Sequence, residues 1–472
     1  MYIIFFKHCS KGKRNNHKNP LPTNINFFDK AKNNKINIEF YQIFNFILFY
    51  LTLILLPKPI LSGYIELKVN QPGEQQILSD EFKGTPPSKY FVDNIEVSIN
   101  EKRIQIESES STIKLEWSGT ITDFSSMFSN LENITEIKID HLLGKNNNFS
   151  FTFSNCINLK IFSIDVNYHM DYAIIDMRGM FYNCSSLDSF SFYNLYLDYY
   201  DYQAQECLTL IINGTRRTSC SPVTRKGYND INMSYLFYNC TSLKTIDKDS
   251  KTFQKISDMN NMFYNCYSLE YINLKNFKTD NLNINLSYIF YNCYSLTSIT
   301  FSSTANSFGV KEMKYMFYNC YRLSELNLKS FRKDSSTNRY DMSYLFYNCY
   351  SLTSIEKSNN YFPVSDTREM FYNCKELTSY NFNPSSASIN INMTKMFYNC
   401  NNLNSITLLI GSGNSYFEPN DMSSMFYNCR LLTSLDLNKF KTNKVQYMNY
   451  MLYNCINLYD CKKLTNKFNN SL

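Results

Sequence analysis

The sequence predicts an α/β solenoid, a horseshoe of about 12 turns in which each turn is a short parallel strand plus a short helix, with an N-terminal β cap. Three observations carry this reading: a recurring pentapeptide, its spacing, and two apolar periodicities inside each copy. The pentapeptide is Met180-Phe181-Tyr182-Asn183-Cys184, and it returns at 262–266, 316–320, 370–374, 396–400 and 425–429. Close variants stand at 236–240, 289–293, 345–349 and 451–455, and looser ones at 127–131 and 152–156. Successive fifth positions are 25–29 residues apart, except one step of 56 between Cys184 and Cys240. That step is two periods of 28, so the sequence expects either a degenerate repeat there or an insertion in its place. A repeat of this length cannot bury its apolar side alone, and stacked neighbours bury it for one another.

The copy at 258–279 shows the expected elements. Met259, Met262, Phe263 and Cys266 fall at i, i+3, i+4 and i+7, the spacing of one helical face. Asp258 precedes them as the expected N-cap, and Asp176, Asp341 and Asp421 hold the same place. Two turns of helix are marginal alone, so packing has to hold them. Leu269, Ile272, Leu274 and Phe277 follow, with polar Asn273 between two of them, which is the alternation of a short strand.

The Met-x-x-Met-Phe-Tyr-Asn-Cys-x-x-Leu-x-x-Ile-x-Leu frame, clearest at 259–274 and 422–437, resembles the leucine-rich repeats of the BspA-like surface proteins. The resemblance covers roughly residues 121–460. It implies a leucine-rich-repeat horseshoe, and a role at the cell surface that in some members is adhesion. The long step and Leu131 in place of cysteine depart from uniform stacking.

Residues 1–40 form a basic leader with eight basic and two acidic side chains, an excess equal to the net charge of +6 of the whole chain. The remainder is neutral, which argues against nucleic acid as a partner, because that binding needs a basic face. Residues 41–63 read as a signal peptide or signal-anchor: an apolar run at 41–56, Pro57, then the small residues Ser62 and Gly63. The run is short for a spanning helix, which needs about 20 residues. Cleaved or not, it exports the repeats, so the expected location is the cell surface or the medium, with a membrane contact only through an uncleaved N-terminal segment.

Residues 64–120 alternate as strands at Ile65/Leu67/Val69, Ile95/Val97/Ile99, Ile104/Ile106 and Ile113/Leu115, with turns at Pro72-Gly73 and Gly84-Thr85-Pro86-Pro87. The expected role is an N-terminal β cap over the first repeat, since solenoid ends expose core. Repeats occupy 121–460 with an insertion at 193–230, and 461–472 form a tail. The insertion is tyrosine-dense, carries Arg216, Arg217, Arg225 and Lys226, and holds Cys207 and Cys220 outside the repeat frame.

Eleven of the 15 cysteines share the repeat position. Strands stack about 4.8 Å apart and helices about 8–10 Å apart, so cysteines at the end of a helix are expected as buried free thiols. Zinc spacing of the Cys-x-x-Cys kind is absent, and no metal or cofactor is expected. Cys207 and Cys220 are the candidate disulfide. Sequons occur at Asn133, Asn148, Asn183, Asn213, Asn232, Asn239, Asn285, Asn392 and Asn469, and Asn213 in the insertion is the candidate glycosylation site. Outside the leader only His141 and His169 supply imidazole, and no nucleophile–base or phosphate-loop motif is present, so no enzymatic activity is expected. The tyrosine of Tyr-Asn-Cys is expected to pack its ring on the neighbouring turn, the other reading being a ladder for stacking sugars.

The positions between the apolar strand residues are expected to face outward on the concave sheet. They are Tyr271, Asn273, Ser298, Thr300, Glu325, Asn327, Ser354, Glu356, Ser379, Asn381, Ser405, Thr407, Ser434 and Asp436. A hydrogen-bonding wall of this kind suits an extended extracellular protein or glycan. The sequence therefore predicts a surface or secreted binding protein, the alternative being a coat or matrix component that associates end to end.

Overall fold

Every second peptide N–H of the pentapeptide segment leaves its own turn of chain. In the turn around Met262, Met262 N–H bonds to Met259 O, Tyr264 N–H to Asn261 O and Cys266 N–H to Phe263 O, each at 3.2 Å. The residues between them donate to the next turn instead: Asn261 to Ser287 O at 3.1 Å, Phe263 to Ile289 O at 2.9 Å and Asn265 to Tyr291 O at 2.8 Å. Asn261 and Asn265 have φ of 55° and 59°, in the left-handed region. A right-handed helix admits neither angle, and it would spend every N–H internally. The segment is a run of interlocked tight turns.

The computed structural model describes residues 63–459 apart from 100–101, 110, 166–173, 192–204, 213–214, 223–230, 247–255, 276, 278–283, 302–307, 334–338, 358–363, 383–388, 409–417, 438–439 and 442–443. The leader and the apolar run at 41–56 lie outside these residues. Among the described residues there is no α-helix, so the α/β character expected from the apolar spacing is replaced by a β-solenoid. Apolar residues at i, i+3, i+4 and i+7 also face inward from stacked turns, which is why the spacing misled. Asp258 caps a turn and not a helix: its Oδ1 accepts the N–H of Asn260 at 2.9 Å. Asp176, Asp341 and Asp421 bond the second residue after them in the same way.

Each turn carries two strands. The expected one follows the pentapeptide, as at Tyr271–Leu274, Ser298–Phe301, Glu325–Leu328 and Ser354–Lys357. A second, unforeseen strand precedes it, as at Ile256–Asp258 and Ile284–Asn285. These second strands stack in parallel into an eight-stranded sheet from Ile121–Asp123 to Phe331–Lys333, which makes about seven turns of solenoid. A separate four-stranded sheet follows, from Tyr340–Asp341 to Glu418–Asp421, so the 12 turns of one uniform stack are not supported.

The interior between the strands is filled by Phe263 and its equivalents. Phe237, Phe263, Phe290, Phe317 and Phe346 are buried and stack ring on ring at 5.4–5.6 Å. At the corner, asparagine amides form a ladder: Asn265 donates to Asn239 at 2.7 Å, Asn292 to Asn265 at 2.8 Å and Asn319 to Asn292 at 2.8 Å. Turns of chain therefore stack as closely as strands do. A horseshoe bends because helices are wider than the strands opposite them. Without helices that wedge is gone, and the expected concave curvature loses its cause.

The step of 56 residues is an insertion inside one turn. The turn ending at Cys184 stacks directly on the turn ending at Cys240: Asn183 N–H reaches Tyr238 O at 2.6 Å, and the Tyr182 and Tyr238 rings lie 4.7 Å apart. Within the excursion, strands Gln205–Ile212 and Thr215–Pro222 form an antiparallel hairpin.

Residues 63–118 are β structure built on Tyr64–Val69, which pairs antiparallel with Thr112–Glu116 on one side and with Ile134–Asp140 on the other. Ile65, Leu67, Val69, Ile104, Ile106, Ile113 and Leu115 are buried, as the alternation requires, but Ile95 is exposed. This segment covers the first turn. Ser79 N–H bonds to Met127 O at 2.8 Å, and Glu81 receives the amide of Asn130, which would otherwise end the asparagine ladder unpartnered.

Asn319 should show how much the corner matters. Its side chain donates to Asn292 and accepts from Asn348, and its φ is 60°. Asn319→Gly should cost about 1–3 kcal/mol for the lost amide bonds, and Asn319→Ala about 1 kcal/mol more for the left-handed backbone, read as shifts in urea midpoint. Equal midpoints for the two variants would contradict the backbone constraint.

Candidate functional site

The outward strand positions stand where the alternation puts them. Ser298, Thr300, Glu325, Asn327, Ser354, Glu356, Ser379, Asn381, Ser405, Thr407, Ser434 and Asp436 are exposed, and Tyr271 and Asn273 are half-buried. They align across strands: Tyr271 beside Ser298 and Asn273 beside Thr300, Glu325 beside Ser354 and Asn327 beside Glu356, Ser379 beside Ser405 and Asn381 beside Thr407. The pairs belong to three separate sheets, so the face comes in strips. The residues between them, such as Leu326 at 3% exposure, enter the core. Part of the face is already engaged: Asn327 donates to Glu356 at 2.7 Å, and Lys329 pairs with the same carboxylate.

A second surface was only half legible. The tyrosines of Tyr-Asn-Cys stack at 4.5–4.7 Å from Tyr238 through Tyr264, Tyr291, Tyr318 and Tyr347 to Tyr372. Beside them run Tyr288, Tyr315 and Tyr344 at 4.6–4.9 Å, and Tyr267, Tyr294, Tyr321 and Tyr350 at 4.9–5.1 Å. The flanking columns were missed, although a tyrosine recurs just before or just after the pentapeptide in these copies. Within each column the ring faces lie against one another. Sugars stack on ring faces, so these columns offer edges and hydroxyls instead. Burial, with the neighbouring tyrosines, pushes the Tyr264, Tyr315, Tyr318 and Tyr347 hydroxyls up to about 12.

The frame cysteines are free thiols, ten of them buried and Cys455 partly so. The expected reason, wide helix spacing, does not apply. Each Sγ donates instead to the carbonyl of the phenylalanine one turn back, as from Cys266 to Phe237 at 3.1 Å and from Cys293 to Phe263 at 3.2 Å. Burial pushes the Cys156 thiol up to about 12 and raises those of the frame from Cys184 to Cys429 well above the ordinary range as well. Such thiols neither react nor bind metal readily.

His141 pairs with Asp140, which also accepts from the Tyr64 hydroxyl at 2.6 Å and lies 3.3 Å from Lys138 Nζ. This knot joins two strands of the N-terminal sheet. His169 and Asn213 lie outside the described residues. Asn183 and Asn239, though in sequons, are ladder residues: the Asn183 amide donates to Asn155 at 3.0 Å, and Asn239 accepts from Asn265. Cys207 and Cys220 are Cα partners in the hairpin.

The profile of the BspA type leucine rich repeat region matches residues 107–212 and 224–341, in six copies, and the break between the two falls inside the insertion. The chain is a BspA-like leucine-rich-repeat protein. Residues 303–408 and 365–471 also match the family described as Mycoplasma protein of unknown function, DUF285. The BspA-like repeats suggest protein binding or recognition. A search of curated proteins finds no match. Among solved structures, the TLR13–ssRNA13 complex is 16% identical at a TM-score of 0.25, covering 71% of this chain and 40% of its own. The plant peptide hormone receptor RGFR1 in complex with RGF2 is 12% identical at a TM-score of 0.22, covering 73% of this chain and 61% of its own. The chain thus spans less than two thirds of either, and at these TM-scores neither bears on ligand or fold detail.

The raised thiols and phenols set the alkaline limit of the BspA-like stack. Their ordinary values are 9.0 for cysteine and 10.0 for tyrosine. The folded chain holds these protons more tightly than the unfolded one. Stability from them is therefore complete below about pH 9 and is lost as pH climbs toward 12 and beyond. The urea midpoint should fall steadily from pH 9 to 11, while the buried frame thiols stay unlabelled until the protein unfolds. A flat profile over that range would contradict their burial.

Proposed function

We propose that this BspA-like chain is a cell-surface or secreted binding protein, not an enzyme, and that it holds an extended protein or glycan partner along its exposed strand face. The observation that carries this reading is the alignment of that face. Hydroxyl, amide and carboxylate side chains from Ser298 to Asp436 are exposed, and those on paired strands stand in register within three separate strips. Export rests on the basic leader and the apolar run at 41–56; no helix among the described residues is long and apolar enough to cross a membrane. A protein segment suits the face better than a sugar chain, because the tyrosine ring faces that would stack sugars are covered by their neighbours. Head-to-tail assembly into a matrix is less favoured, since Ser79 and Glu81 already occupy the first turn.

Protease added to intact cells should digest the repeats, or the repeats should appear in the medium; full protection with none in the medium would defeat the surface reading. Glu325→Arg, at an exposed position, should change stability by less than about 0.5 kcal/mol. It should weaken binding to the partner found in a screen of matrix proteins and glycans by about threefold to tenfold. Leu326→Asp should cost several kcal/mol, because it buries an unpaired carboxylate. If Glu325→Arg binds normally while deletion of 195–228 abolishes binding, the insertion is the binding element.

A further inference from the structure

We propose that Cys207 and Cys220 close the inserted hairpin as a disulfide while the frame thiols stay reduced. Register is the primary observation. Strand Gln205–Ile212 runs antiparallel to Thr215–Pro222, with Cys207 the Cα partner of Cys220. Directly opposed residues in such a pair alternate between those that exchange two backbone hydrogen bonds and those that exchange none. Pro222 has no N–H to give, so its pair with Gln205 is of the second kind. Cys207 and Cys220 lie two residues farther along each strand and share that kind.

Non-bonded pairs hold their Cα atoms about 4.5 Å apart, within the roughly 4.4–6.8 Å that a disulfide spans.

The hairpin also needs a staple. Its two strands pair with no other strand among the described residues, and an isolated two-stranded hairpin is marginal in water. The frame cysteines repeat at near-strand spacing, but each is buried or partly so, with its Sγ–H held by a carbonyl one turn back. The oxidant is a small disulfide, of the glutathione disulfide class. One hairpin thiolate attacks it and releases one donor thiol; the second hairpin thiolate attacks the mixed disulfide and releases the other. Two S–H bonds are lost, one S–S bond forms, and the donor gains two electrons and two protons. Closure in the cell rests on the exported location proposed above; the register does not.

The full chain is tested twice, as isolated from cells and after native incubation with oxidised glutathione. Each sample is denatured without reductant, alkylated and cut with trypsin and a glutamyl endopeptidase, which cleave at Arg216 and Arg217 between the two cysteines and after Glu206 between Cys184 and Cys207. The expected result is one disulfide-linked peptide pair, Cys207 with Cys220, and alkylated frame thiols. A chain open from cells but closed by glutathione disulfide would contradict the location and uphold the pair. Alkylation of both cysteines in both samples, glutathione left on either, or a bridge from either to a frame cysteine would overturn it. In Cys207→Ser the mixed disulfide has no resolving thiol, so glutathione should remain on Cys220; a Cys220 that stays free would also overturn the proposal.

Discussion

The structure depends on one backbone device, a run of tight turns whose N–H groups alternate between their own turn and the next. Left-handed residues at two places per turn, such as Asn261 and Asn265, make the alternation possible. For most residue types that conformation costs about 1–2 kcal/mol. Asparagine tolerates it, and at the second place its amide also bonds the equivalent asparagine of the preceding turn. At the first of the two places Tyr288, Tyr315, Glu369 and Lys395 adopt the same angle with no such advantage. Hydrogen bonds between neighbouring turns, and in the tyrosines ring stacking, offset that strain, so each turn depends on its neighbours.

Close stacking follows from this device. Because the corner needs no helix, phenylalanines, tyrosines, asparagines and cysteines each repeat at near-strand spacing in columns of their own. The columns use up what the side chains could otherwise offer. Ring faces are covered, the ladder amides are bonded, and thiols are held at carbonyls with their pKa raised by burial. On the function proposed above, recognition falls to the two kinds of residue outside the columns. These are the outward strand positions and the inserted hairpin.

The ends and the insertion mark where the repeat rule stops. At the first turn Glu81 takes the asparagine amide that has no earlier turn to meet. At the last described turn Tyr450, Tyr453 and Ile456 remain exposed. The insertion leaves the stack unbroken because Asn183 and Tyr238 meet across it as closely as any adjacent turns.

Much was decided by the sequence alone. The repeat, the inward residues such as Leu326 and Cys266, and the outward ones such as Glu325 and Asn327 follow from periodicity, because a pattern of burial repeats whenever the chain does; the resemblance to a family rests on the residues of the Met-Phe-Tyr-Asn-Cys frame. The same periodicity could not tell a helix from stacked turns, since both put residues i, i+3, i+4 and i+7 inside. The one local signal was the asparagine fixed before each cysteine, a residue type that enters the left-handed region more readily than most. What only the tertiary structure decided was the destination of each N–H. Whether Phe263 bonds within its own turn or to Ile289 depends on a neighbour 26 residues away. That choice replaced the helix with a β corner, removed the cause of curvature and brought the cysteines to their carbonyls. It also seated the turn of Cys184 on the turn of Cys240, which made the long step an insertion.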